Sequence, residues 1–182
     1  MFVGRKQELA TLERLYRSDA FQMPVVYGRR RVGKTSLIAE FVKGKPAIFF
    51  SARESTAKEN LVALSQAIAD LRLDGTPVAS DTAAPVFANF EEAFTHVFTL
   101  AQQQRIVLVI DEFPYLAQSD RSVSSVLQHL IDRHKENSRL FLILCGSSMS
   151  FMEHQVLGYK SPLYGRRTAQ IKVQPFDIMQ AS

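Results

Sequence analysis

The stretch Gly28 to Thr35, GRRRVGKT, constrains this chain more than any other feature, because it matches G-x-x-x-x-G-K-[ST] in full. From average residue frequencies such a match arises by chance in roughly one chain in a hundred of this length. Its placement argues further against coincidence. Met23-Pro24-Val25-Val26-Tyr27 reads as a short strand ending at Gly28, and a helix opens at Gly33 and Lys34, carrying Leu37, Ile38 and Phe41 before Gly44 stops it. Strand, glycine-bearing loop and helix together form a phosphate-binding loop, the Walker A arrangement. Gly28 and Gly33 let the backbone turn tightly, so that N–H groups along the loop, from Arg29 through Val32 to Ser36, point at phosphate oxygens. Lys34 offers a flexible positive charge to the β- and γ-phosphates, Thr35 a hydroxyl to Mg²⁺, and the following helix its N-terminal dipole. Arg29, Arg30 and Arg31 add phosphate or partner contacts, or form a solvated basic loop; both readings stay open.

The remaining chain alternates strands with helices. Helical stripes are expected over Gly4 to Asp19 (Leu9, Leu12, Leu15, Tyr16), residues 56 to 72 (Leu61, Leu64, Ile68, Leu71), the run Phe90 to Phe98, and Val123 to Ile131. Buried strands are expected at Ala47 to Phe50, Ile106 to Ile110, Leu140 to Cys145 and residues 169 to 173, closed by Pro175. Residues 73 to 88, with Gly75, Pro77 and Pro85, read as an exposed loop. Alternation of this kind implies βαβ units, a parallel sheet and helices on both faces, within a single domain over residues 1 to 182.

The strand Ile106 to Ile110 runs into Asp111 and Glu112. Beside a phosphate loop, Asp111 can reach the Mg²⁺ shell and Glu112 can polarise an attacking water. A small-molecule kinase uses its acceptor hydroxyl and needs no such glutamate, so the pair favours hydrolysis. Phe113, Pro114 and Tyr115 read as shaping the loop that follows. After Cys145 and Gly146, either Ser147 or Ser148 can sense the γ-phosphate or orient the water, or the serines cap a helix. Arg166 and Arg167 follow Gly165 before the last strand. One of them can stabilise transition-state charge in this subunit or a neighbouring one; the alternatives are a salt bridge or a nucleic-acid contact.

Composition mostly excludes. The single cysteine, Cys145, rules out an internal disulfide and a cysteine-built zinc site, and reads as a small buried hydrophobe. His96, His129, His134 and His154 lack ligand spacing. No run approaches a membrane helix or a secretory signal, so a cytoplasmic protein is expected. Net charge is +4, from 22 Lys and Arg against 18 Asp and Glu, too little by itself to argue for nucleic acid. No guanine-reading Asn-Lys-x-Asp motif is present.

These residues resemble those of the archaeal ATPase family, in the STAND branch (signal-transduction ATPases) near the AAA+ proteins. The resemblance is carried by Phe2-Val3-Gly4-Arg5 with Glu8-Leu9, by Tyr27 with GRRRVGKT, by Asp111 to Leu116, by Cys145 to Ser148, and by Gly158 to Arg167 with its LYGRR. It implies ATP with Mg²⁺, an adenine held by Val3, Gly4 and Arg5, and a five-stranded parallel sheet in the order 5-1-4-3-2. It also implies an active-site role for Arg166 or Arg167, and a molecular switch working on a second copy or a partner. Relatives are expected to continue past the equivalent of Pro175-Phe176-Asp177 into a helical lid, a winged-helix module and often a nuclease-like domain. This chain stops at Ser182, so the lid and winged helix are expected to be missing and turnover to depend on them.

Overall fold

A computed structural model describes residues 5–73, 76–77 and 86–175. Five strands, β1 (Pro24–Tyr27), β2 (Ala47–Ser51), β3 (Ile106–Asp111), β4 (Leu140–Gly146) and β5 (Ala169–Lys172), form one sheet. Every ladder in it is parallel, and the spatial order is β2-β3-β4-β1-β5, the expected 5-1-4-3-2. The helices are α1 (Lys6–Arg17), α2 (Lys34–Val42), α3 (Ala57–Ala69), α4 (Phe90–Gln103), α5 (Phe113–Ser119), α6 (Val123–His134) and a short α7 (Met149–Phe151).

Two hydrophobic cores sit on opposite faces of the sheet, and the strands divide their side chains between them. Val26, Val107, Val109, Ile143, Cys145 and Ile171 pack with Leu12 of α1 and Leu37, Ile38 and Phe41 of α2. Val25, Tyr27, Ile48, Phe50, Leu108, Ile110, Leu142 and Leu144 pack with α3, α4, α5 and α6. This follows from the two-residue period of a strand, which sends alternate side chains to alternate faces. It decides where the first acid goes. Val107 and Val109 face α2, so Asp111, two residues on, faces α2 as well.

Several expected boundaries move. The helix expected over 56–72 ends at Ala69: Thr56 caps its start by accepting from the Glu59 N–H, and Leu71 is buried although it lies outside the helix. Core burial carried the apolar spacing past the helical end. Arg72–Leu73 pairs antiparallel with Thr76–Pro77, and most of the loop expected at 73–88 lies outside the described residues. The segment after the acids is not a loop. It is α5, with Pro in the first turn, where a missing N–H costs nothing, and with Phe113, Pro114, Leu116 and Ala117 buried. The Ser-rich segment after β4 also coils, through α7 into a π turn at Met152–Val156.

Candidate functional site

Ligands of open parallel sheets bind outside the carboxyl ends of the strands. Here that end carries a cavity of about 460 Å³ lined by Arg30, Arg31, Gly33, Lys34, Thr35, Ser36, Glu112, Tyr115 and Ser147. Register brings its parts together. Val26 lies opposite Cys145 and Ile110 opposite Leu144, so the C-terminal ends of β1, β4 and β3 finish nearly level. The loop after β1 and the acids after β3 therefore meet across the end of β4.

The phosphate loop reaches this position through an unusual backbone path. Gly33 has φ +96° and Arg31 φ +65°; the left-handed region suits glycine but strains arginine. Gly28 is needed for a different reason from the tight turn expected of it. Its φ is not left-handed, and a Cβ there would run into the carbonyl oxygen of Val173, which follows β5. Lys34 is buried, and its ammonium donates to the Arg29 carbonyl at 2.7 Å. Arg30 donates to the Tyr115 hydroxyl at 2.6 Å across the mouth of the cavity. Among the described residues no carboxylate pairs with Arg29, Arg30 or Arg31.

Asp111 is buried and held at both oxygens. Oδ1 accepts from the Glu112 N–H at 3.0 Å, and Oδ2 accepts from the Thr35 hydroxyl at 3.1 Å. Glu112 adopts φ +55°, which turns the chain sharply into α5. Its Oε2 accepts from the Ser147 hydroxyl at 3.1 Å. Of the two serines, then, Ser147 meets the acid and lines the cavity, whereas Ser148 does not line it. Cys145 is buried, and its thiol is pushed well up, first by burial and then by the charge of the Asp111 carboxylate. As a small buried group at a strand end it matches its expected place.

Two sets of expected residues lie elsewhere. Arg166 grips Asp132 of α6 with Nε and an Nη, at 3.1 and 2.7 Å, and Arg167 lines a separate cavity with Tyr164, Gly165, Thr168 and Ala169. The reason is topological. Thr168 bonds Met23 through both its N–H and its hydroxyl, and Ala169 lies opposite Pro24. Both arginines therefore sit at the start of β1, a strand length away from the loop at its end, and neither lines the cavity. Val3 and Gly4 lie outside the described residues. Arg5 is buried, donating to the carbonyls of Val32 and Gln174, so its guanidinium faces the backbone rather than the cavity. None of His96, His129, His134 or His154 lines the cavity. Tyr115, expected only to shape the segment after the acids, lines the cavity as well.

Fold and loop together define a P-loop NTPase. The chain matches the model of an ATPase domain family predominantly from Archaea over residues 2–182, and it belongs to that family. It is 34% identical over 175 residues to an uncharacterised protein of Methanocaldococcus jannaschii, covering 96% of this chain and 36% of that protein. An uncharacterised ATP-binding protein of the same organism is 51% identical over 45 residues, 25% of this chain and 76% of the other. Among solved structures, the Walker-type ATPase of Pyrococcus abyssi superposes with a TM-score of 0.73 at 24% identity, over 98% of this chain and 55% of that one. The Aeropyrum pernix Orc1 protein, solved in complex with DNA, gives 0.64 at 18%, over 99% and 47%. Both structural likenesses concern the fold. Among the described residues no helix is long and apolar enough to cross a membrane.

Proposed function

We propose that the chain binds ATP with Mg²⁺ in the cavity at the carboxyl end of the sheet and acts as the core of a Mg²⁺-dependent ATP hydrolase. The observation that carries this reading is the 3.1 Å bond between the Thr35 hydroxyl and Asp111 Oδ2, with Thr35 and Glu112 both lining the cavity. A hydroxyl and a carboxylate are hard oxygen donors, and Mg²⁺ typically takes one or two carboxylates and completes its shell with phosphates and water. The residues present therefore fit that ion. Thr35 and Asp111 would hold it, and it would supply charge neutralisation to the phosphates.

The chain's own groups do the rest. Lys34 exchanges the Arg29 carbonyl for phosphate oxygens. The Ser147 hydroxyl holds Glu112 Oε2, which leaves Oε1 to accept a proton from the attacking water. Val3 and Gly4 are assigned to the adenine by family resemblance. Any action of Arg166 or Arg167 on a γ-phosphate belongs to the nucleotide of a neighbouring copy. In this reading the domain is a cytoplasmic switch of the STAND kind, whose bound nucleotide is read by a second copy or a partner.

A second reading, a nucleotide-gated binding module with little hydrolysis, draws support from Arg166, which is committed to Asp132. The Orc1 likeness makes DNA association its natural output, although that likeness is one of fold. Phosphate release with and without Mg²⁺ separates the two. Glu112→Gln is expected to lower turnover about 10²- to 10⁴-fold while binding persists. Background turnover in both proteins, with binding kept, would leave the second reading standing.

A further inference from the structure

The cavity is shaped by a residue that does not line it. Arg5 is 3% exposed although it lies just before α1. Its Nη2 donates to the Val32 carbonyl at 2.8 Å and also to the Gln174 carbonyl, and Nη1 lies 3.8 Å from Glu8 Oε1. The guanidinium thus joins three distant stretches of chain: the entry to α1, the middle of the phosphate loop, and the exit from β5. That exit is itself fastened to the loop's start, since the Val173 N–H donates to the Tyr27 carbonyl at 2.7 Å and the Val173 carbonyl fills the space beside Gly28.

The consequence for the loop follows from peptide geometry. No cis peptide occurs among the described residues, so the Val32 carbonyl and the Gly33 N–H point in opposite directions across one planar unit. Holding the carbonyl toward Arg5 turns the N–H away from it, on the side of the cavity that Gly33 lines. This peptide joins Val32 to a left-handed Gly33, at φ +96°, one residue after Arg31, at +65°, and a left-handed backbone at a residue other than glycine persists only when its surroundings impose it. We infer that Arg5 is a positioning residue for phosphate binding: it fixes the Val32–Gly33 peptide so that the Gly33 N–H meets a phosphate oxygen. This rests on the nucleotide-binding reading above, and it differs from the adenine contact that family resemblance implies for Arg5.

Tripolyphosphate, which has no base, tells the two roles apart. Calorimetry on the full chain would compare tripolyphosphate with ATP, each with Mg²⁺, for the unsubstituted protein, Arg5→Ala and Arg5→Lys. Lysine keeps the buried charge but lacks the planar fork that bridges two carbonyls. Both variants are expected to bind tripolyphosphate about ten-fold more weakly, and ATP by a similar factor. Should Arg5→Ala fail to fold, Arg5→Lys carries the test, its ligand-free melting temperature reporting fold separately from affinity. Losses confined to ATP, or affinities equal to the unsubstituted protein's, would overturn the inference. Failure of the unsubstituted protein to bind either ligand would instead remove the nucleotide-binding reading itself.

Discussion

The two ends of β1 both carry arginines, and the protein treats them in opposite ways. At the amino end, Arg166 is paired with Asp132, Arg139 lies 3.4 Å from Asp19, and Arg105 donates to the carbonyls of Ala20, Arg139 and Leu15. At the carboxyl end, Arg29, Arg30 and Arg31 find no carboxylate among the described residues, and the buried Lys34 rests on a carbonyl. The acids nearby have other partners, Asp111 accepting from Thr35 and Glu112 from Ser147. Cations satisfied internally brace the fold. Cations left beside oriented N–H groups are set to receive an anion from outside.

The largest effect should come from the carboxyl end. Lys34→Ala is expected to weaken ATP binding about a hundred-fold, since losing one partner of a desolvated charge contact costs about 2–5 kcal/mol. Melting without ligand should change little, because the ammonium's bond in the free protein is to one loop carbonyl. Calorimetry and melting on the same preparation check both halves. Unchanged affinity would erase the contrast between the two ends of β1.

Much of that contrast could be read in advance. The apolar runs of β1, β3 and β4 are long enough and flanked clearly enough to announce a buried parallel sheet, and GRRRVGKT announces the loop between β1 and α2 that lines the cavity. Asp111 followed from its place at the end of the Ile106 strand. What escaped depends on contacts between residues far apart in sequence. Gly28 reads as a turn residue, but its constraint is the Val173 carbonyl, which no local pattern reveals. No local signal says which end of β1 Arg166 and Arg167 occupy either; only the pairing of Ala169 with Pro24 shows that it is the end away from the loop. Tyr115 fell in a segment whose helix is too short for periodicity to declare.

Gly28→Ala tests the hidden half of the loop's support and should have an intermediate effect. A methyl group forced against the Val173 carbonyl must displace either the loop or the exit from β5, at a cost of about 1–3 kcal/mol. For a chain of this size that lowers the melting temperature by about 2–4 °C for each kcal/mol. Nucleotide affinity should fall as well, because the displaced segments are the ones that Arg5 ties together. Melting curves run with and without ATP separate the two losses. A variant as stable and as tight as the original would mean that the close approach at Gly28 constrains nothing.

The smallest effect belongs to the amino end. Arg166→Ala removes a partly exposed, two-pronged ion pair with Asp132, worth under about 1 kcal/mol and so at most about 2–4 °C of melting temperature. The pH dependence has a definite sign. Arg166, first through its hydrogen bonds and then through its charge, holds the Asp132 carboxyl below its ordinary 3.8. A carboxylate with a depressed folded pKa contributes stability that is fully present above its unfolded pKa and is lost as pH falls through the folded value. The melting curves of the two proteins should therefore differ near neutral pH and converge in acid below the ordinary carboxylate range. ATP affinity should be the same in both, since Arg166 lies at the far end of β1 from the cavity. A turnover loss of about 10³-fold with affinity unchanged would place the guanidinium on the nucleotide of a neighbouring copy, and the amino end of β1 would then serve catalysis as well as bracing the fold.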